Sequence, residues 1–152
     1  MDRREFMLVS LRASAVLVAA PKLLSALGKD ARVKMTVYKT PSCGCCANWV
    51  TYMQEQGFEL TVVDLNDLSN IKSSWGVLPK LQSCHTALVG AYVIEGHVPA
   101  DLVKKVLAQK PKIVGLAVPG MPVDAPGMGD GKTPYSVIAW TKAGKTSVYA
   151  ER

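Results

Sequence analysis

The chain has 152 residues, 49% of them apolar and 20% charged, which is enough for one ordinary domain with its own core and too apolar for global disorder. Its net charge of +6 has no basic run behind it: the first 28 residues set Arg3, Arg4, Arg12 and Lys22 against Asp2 and Glu5, and the remaining charge is spread along the chain. Nucleic-acid binders concentrate Lys and Arg on one face or element, so nucleic acid is not an expected partner.

Taken in chain order, the first residues read as an address. Arg3-Arg4-Glu5-Phe6-Met7 resembles the twin-arginine export motif, and an apolar stretch from Met7 to Leu27 follows, interrupted by Arg12 and Lys22. The uninterrupted part, Ala13 to Pro21, is far short of the roughly 20 residues of a membrane-spanning helix but suits a signal peptide. Residues 1–28 are therefore expected to be an export signal, with a cleavage boundary between Gly28 and Ala31, and residues 32–152 the mature domain. This implies a periplasmic protein with no stable membrane anchor.

Val33 to Tyr38 alternates β-branched and aromatic residues and predicts a strand. Lys39 to Gly44 supplies turn chemistry, and Ala47 to Gln56 predicts a helix ended by Gly57. Leu60 to Leu65 predicts a second strand and Asp67 to Ser74 a short helix. Thr86 to Ile94 reads as a single third strand, and Pro99-Ala100-Asp101 opens a helix running to about Gln109. Between Lys110 and Lys132 a long loop carries Val118-Pro119-Gly120-Met121-Pro122 and Ala125-Pro126-Gly127-Met128-Gly129; loops of that length are usually functional. Tyr135 to Thr141 and Lys145 to Tyr149 predict a hairpin around Ala143-Gly144. The expected class is α/β, a central mixed sheet flanked by helices, in an order resembling the thioredoxin fold.

Four cysteines fall in two short segments, and in an oxidising periplasm that means disulfides, a metal site or a redox cycle between them. Cys43-Gly44-Cys45-Cys46 lies between the first strand and the following helix, where backbone amides and the helix dipole favour thiolate. Cys43 and Cys46 have the C-x-x-C spacing of a redox pair, while Cys45 is a third sulfur that would compete for its mixed disulfides. In thioredoxins the loop before the third strand packs against the redox loop and carries a cis-proline. Here that loop reads Gln82-Ser83-Cys84-His85-Thr86, so a thioredoxin-like fold would bring Cys84 to the other three sulfurs.

Soft thiolates select Cu(I), Zn(II) or iron–sulfur clusters. Three sulfurs in one tight turn close poorly around a single tetrahedral ion, and bridging several Cu(I) ions suits the crowding better. His85, Met121 and Met128 are further candidate ligands, although a Met in a Pro-Gly loop also folds over apolar surface as a lid. His97 reads as a residue that caps or orients the next helix. Trp49, Trp75 and Trp140 read as core or rim aromatics, with Trp49 also placed to shield the site from water. The alternatives are a pair of structural disulfides (Cys43–Cys46 with Cys45–Cys84), a thiol–disulfide oxidoreductase using Cys43 and Cys46, and an iron–sulfur electron carrier.

Several segments together resemble one family. Tyr38 to Cys46, Ser83-Cys84-His85-Thr86-Ala87, Tyr92 to Ala100 and Gly115 to Pro122 are similar to the CopG-type proteins of bacterial copper-resistance operons. The resemblance spans nearly the whole chain after the signal. It implies a thioredoxin-like fold, periplasmic residence and copper held by Cys43, Cys45, Cys46 and Cys84. It implies copper ions as partners, with other periplasmic copper-handling proteins as donors or acceptors, and the reading is of a metal-binding or redox protein. Sequestration of Cu(I) and cycling between Cu(I) and Cu(II) are both compatible with it. One departure is that Tyr52-Met53 stands where relatives carry a histidine.

Overall fold

A computed structural model describes residues 32–129 and 131–152; the expected export signal lies outside the described residues. Strand β1 (Val33–Lys39) turns its alternate side chains Met35 and Val37 into the core. Helix α1 (Gly44–Glu55) buries Cys46, Trp49, Val50 and Met53, spaced i, i+3, i+4, i+7 along one face. It begins three residues before the expected Ala47, with Cys43 at its N-cap, so Cys45 and Cys46 occupy its first turn. Gly57, at φ 90°, ends it. Strand β2 (Phe58–Asp64) runs parallel to β1. Helix α2 (Ser69–Ser74) is preceded by Asp67, whose carboxylate accepts the Ser69 N–H at 2.9 Å.

The expected single strand Thr86–Ile94 is instead a hairpin, β3 (Thr86–Val89) and β4 (Tyr92–Glu95). Val89 pairs with Tyr92 across the two-residue turn Gly90-Ala91, and Gly90 supplies the positive φ of 56° such a turn needs. Helix α3 (Ala100–Gln109) starts after Pro99, as its sequence predicts. A second correction concerns the long loop. Its first part forms the buried strand β5 (Gly115–Ala117), invisible to periodicity because it is three residues long and opens on glycine. That glycine is required: a Cβ at Gly115 would stand 1.8 Å from the Val93 carbonyl oxygen. Strands β6 (Ser136–Trp140) and β7 (Thr146–Glu151) form the expected terminal hairpin.

The strands make one mixed sheet in the order β2-β1-β3-β4-β5-β6-β7, parallel at β1/β2 and β4/β5 and antiparallel elsewhere. Side-chain alternation splits the core between its faces. Ile94, Leu116 and Ala139 join Trp49, Met53, Val103 and Val106 from α1 and α3. Their neighbours Val93, Ala117 and Trp140 pack with Val77 and Leu81. Tyr52, at the departure noted above, is built into this frame: its hydroxyl accepts the Ala100 N–H at 3.1 Å and so caps α3. Met53 is fully buried.

Candidate metal centre

The cysteines meet at one end of the sheet. The turn after β1 leads into α1 through Thr40, whose carbonyl accepts the Cys43 N–H at 3.1 Å. One helical turn sets Cys43 and Cys46 with Cα atoms 5.3 Å apart, and their sulfurs form a disulfide. Cys45 and Cys84 are free thiols. The Cys43 and Cys45 sulfurs lie 3.6 Å apart, and all four cysteine sulfurs lie within 4.8 Å of one another. The expected approach of Cys84 to the other segment is therefore observed. Of the two bonds in the paired-disulfide alternative, Cys43–Cys46 and Cys45–Cys84, only Cys43–Cys46 is made in this structure.

Cys84 also belongs to a second donor group. His97 Nε2 stands 3.1 Å from its sulfur and His85 Nδ1 3.3 Å, so Cys84, His85 and His97 form a further cluster of potential ligands. The sequence predicts that His97 caps or orients the next helix; in the structure it is fully buried and faces Cys84. Its Nδ1 lies 2.7 Å from the Pro126 carbonyl. A carbonyl only accepts, so Nδ1 carries the proton and Nε2 presents its lone pair. His85 is equally buried, packed between the rings of Trp49 (centroids 4.5 Å apart) and His97 (5.0 Å). Among the described residues its Nε2 has no hydrogen-bond partner.

The electrostatics keep these groups uncharged. Burial, then the neighbouring His97 and Lys72, holds His85 well below the usual imidazole range. Burial also lowers His97, against the pull of its bond to Pro126. Burial and the adjacent Cys45 push the Cys84 thiol up to about 11. Neutral imidazoles are metal-ready, whereas Cys84 is a poor free nucleophile at neutral pH and would lose its proton to a bound cation.

The polar groups behind Cys84 carry little local signature in the sequence. Glu95, at the end of β4, is fully buried and takes the Lys72 ammonium at 2.5 Å, the Ser83 N–H at 2.7 Å and the Thr86 hydroxyl at 2.7 Å. An acid inside the apolar run Tyr92-Val93-Ile94-Glu95 was the available signal; nothing local marks Lys72 as its partner.

The Pro-Gly-Met loop straps the centre. Gly120 O accepts the Ser83 hydroxyl at 2.6 Å, Pro126 O holds His97, and Gly127 O takes a 3.4 Å bond from Asn48 on α1. Gly127, at φ 84°, lies so close that a Cβ would sit 2.6 Å from the Trp49 backbone nitrogen. Met121 is 56% exposed and lines a cleft with Ser83 and Cys84. Met128 is half-buried against the main core. Trp49 is fully buried against the His85 ring, with its indole N–H on Val98 O at 3.0 Å. Trp140 is core, whereas Trp75 is 47% exposed.

Fold and site thus define a mixed α/β protein whose cysteine sulfurs and imidazoles form a cluster that could hold a metal ion. Residues 81–128, which hold Cys84, both histidines and the strap, match a family described as "Protein of unknown function, DUF411". No curated protein matches the chain. Two solved structures, Form 1 and Form 2 of the copper resistance protein CopG, each share 40% identity with it, cover 80% of this chain and 98% of their own, and superpose with a TM-score of 0.75. The chain belongs to the CopG family of copper resistance proteins.

Proposed function

We propose that this chain is a periplasmic copper-binding protein of copper resistance. It holds Cu(I) on the thiolates of Cys43, Cys45, Cys46 and Cys84, with His85 and His97 completing the donor set and Met121 at the mouth of the cleft. The observation that carries this reading is the convergence of four sulfurs within 4.8 Å of one another, with two buried imidazoles beside Cys84. Thiolates favour Cu(I), and crowded sulfurs favour bridging of several ions. Imidazole accepts either oxidation state, so the mixed donor set also suits cycling between Cu(I) and Cu(II). The partners are copper ions and the periplasmic proteins that deliver or accept them. The strand order β2-β1-β3-β4, with C-x-x-C at the start of α1, supports a thioredoxin-like core. No helix among the described residues is long and apolar enough to cross a membrane.

The deciding experiment is anaerobic titration of the reduced protein with Cu(I) against a competing chelator, comparing wild type with Cys84→Ser. Two or more tightly held ions per chain, lost or halved in the variant, are expected. Four free thiols with no tight copper would overturn the reading.

The Cys43–Cys46 disulfide favours a second reading, thiol–disulfide exchange. It predicts reduction of insulin by the metal-free dithiol protein, with loss of activity in Cys43→Ser. Inertness of that sample would remove it.

A further inference from the structure

The segment that delivers Cys84 and His85 is held from behind by a buried ion pair. Ser83 and Thr86 bracket the two candidate ligands, and both bond to Glu95. Oε1 accepts the Ser83 N–H and Oε2 the Thr86 hydroxyl, each at 2.7 Å. Lys72, reaching over from α2, donates to Oε1 at 2.5 Å and to the Thr86 hydroxyl at 3.0 Å. The next residue continues the grip: Gly96 N–H donates to the His85 carbonyl at 2.9 Å. Glu95 has no exposed surface and Lys72 only 6%.

Stability alone gives no reason for such a pair. Desolvating two charges offsets most of their attraction, and well-packed apolar residues in their place are often neutral or stabilising. An apolar residue cannot, however, accept the Ser83 N–H. The carboxylate fixes the backbone on one side of Cys84 and the side chain on the other, and the ammonium makes that carboxylate tolerable in the interior.

We propose that Glu95, neutralised by Lys72, is a positioning residue that holds the Ser83–Thr86 segment in its metal-receiving conformation before copper arrives. This rests on the copper-binding reading above. Neither residue lies in the donor groups; they act through the hydrogen bonds to Ser83 and Thr86.

The test is Cu(I) competition titration of the full reduced chain carrying either Glu95→Gln with Lys72→Met or Glu95→Ala with Lys72→Met. Both pairs discard the charges, and only the first keeps an acceptor for Ser83. The Gln variant is expected to stay within about threefold of wild type, and the Ala variant to bind about 10- to 100-fold more weakly, as when an outer hydrogen-bonding partner of a metal ligand is lost. Equal affinity in the two, whether both kept or both lost, would overturn the proposal. Should the Ala variant fail to fold, hydrogen exchange of the Ser83 amide in the metal-free wild type decides. Exchange as slow as in the β3 and β4 amides supports the clamp, and exchange at the rate of an open loop refutes it. Wild-type protein without tight copper would instead remove the copper reading, a result the first titration shows by itself.

Discussion

The sulfur of Cys84 and Nε2 of His97 stand 3.1 Å apart because the β3–β4 hairpin folds the residues on its two flanks onto one another. The Pro126 carbonyl fixes the imidazole from its far side, so the nitrogen facing Cys84 is the one free to bind. His97→Ala is therefore expected to weaken Cu(I) binding about 10- to 100-fold in a chelator competition, while Met128→Leu leaves it unchanged. Unaltered affinity in His97→Ala would return His97 to the helix-orienting role.

On the proposed ligand set, copper and the disulfide would compete for the Cys43 and Cys46 sulfurs. With Cys43 and Cys46 joined, only Cys45 and Cys84 remain as thiols, and a sulfur in a disulfide has no thiolate to offer. Oxidised protein should hold fewer copper ions per chain than reduced protein, and copper-loaded protein should resist formation of the disulfide. Elemental analysis of the two redox states under the same chelator checks this; equal loading would place the metal away from Cys43 and Cys46.

The buried histidines give the metal-free protein an acid-sensitive stability. Both have pKa values below the usual 6.5, so between 6.5 and those lower values the unfolded chain binds protons that the folded chain does not. Their contribution is complete above about pH 6.5 and is lost as pH falls, by at most about 1.4 kcal/mol per pH unit for each histidine. Glu95 works the other way, because burial raises its pKa despite Lys72: it favours folding as pH falls through that raised value. Urea midpoints of the Glu95→Gln, Lys72→Met protein near pH 7.5 and 5.5 isolate the histidines. A midpoint that rises on acidification would contradict neutral buried imidazoles.

Gly96 is the corner on which the centre turns. Its φ of 71° is unfavourable for other residues, and a Cβ there would meet the Ser83 hydroxyl at 2.5 Å and the Val118 carbonyl at 2.9 Å. Gly96→Ala is expected to destabilise the fold by about 2–4 kcal/mol, from backbone strain and overpacking together, and to weaken copper binding by pushing Ser83 away. Gly44→Ala, where an added Cβ meets nothing among the described residues within 4 Å and the residue is helical, is the control. Denaturant melts of the two variants compare them.

Much of this protein follows from short-range patterns in its sequence. The alternation in Val33–Lys39, the Pro99 start of α3 and the Ala143-Gly144 hairpin are local signals, and the structure follows them. The cysteines, with the segments around them, narrowed the chemistry to soft-metal or disulfide work and pointed to the family. Tertiary structure decided the rest. It split Thr86–Ile94 at Gly90, added β5 against β4, and drew the Ser83 segment to α1. It also set His97 beside Cys84 and Lys72 beside Glu95, pairs 13 and 23 residues apart along the chain. Periodicity, caps and turn residues report only what neighbours a few positions away impose on the backbone. Which imidazole faces which sulfur depends on sheet order and hairpin geometry, which exist only once the whole core has packed.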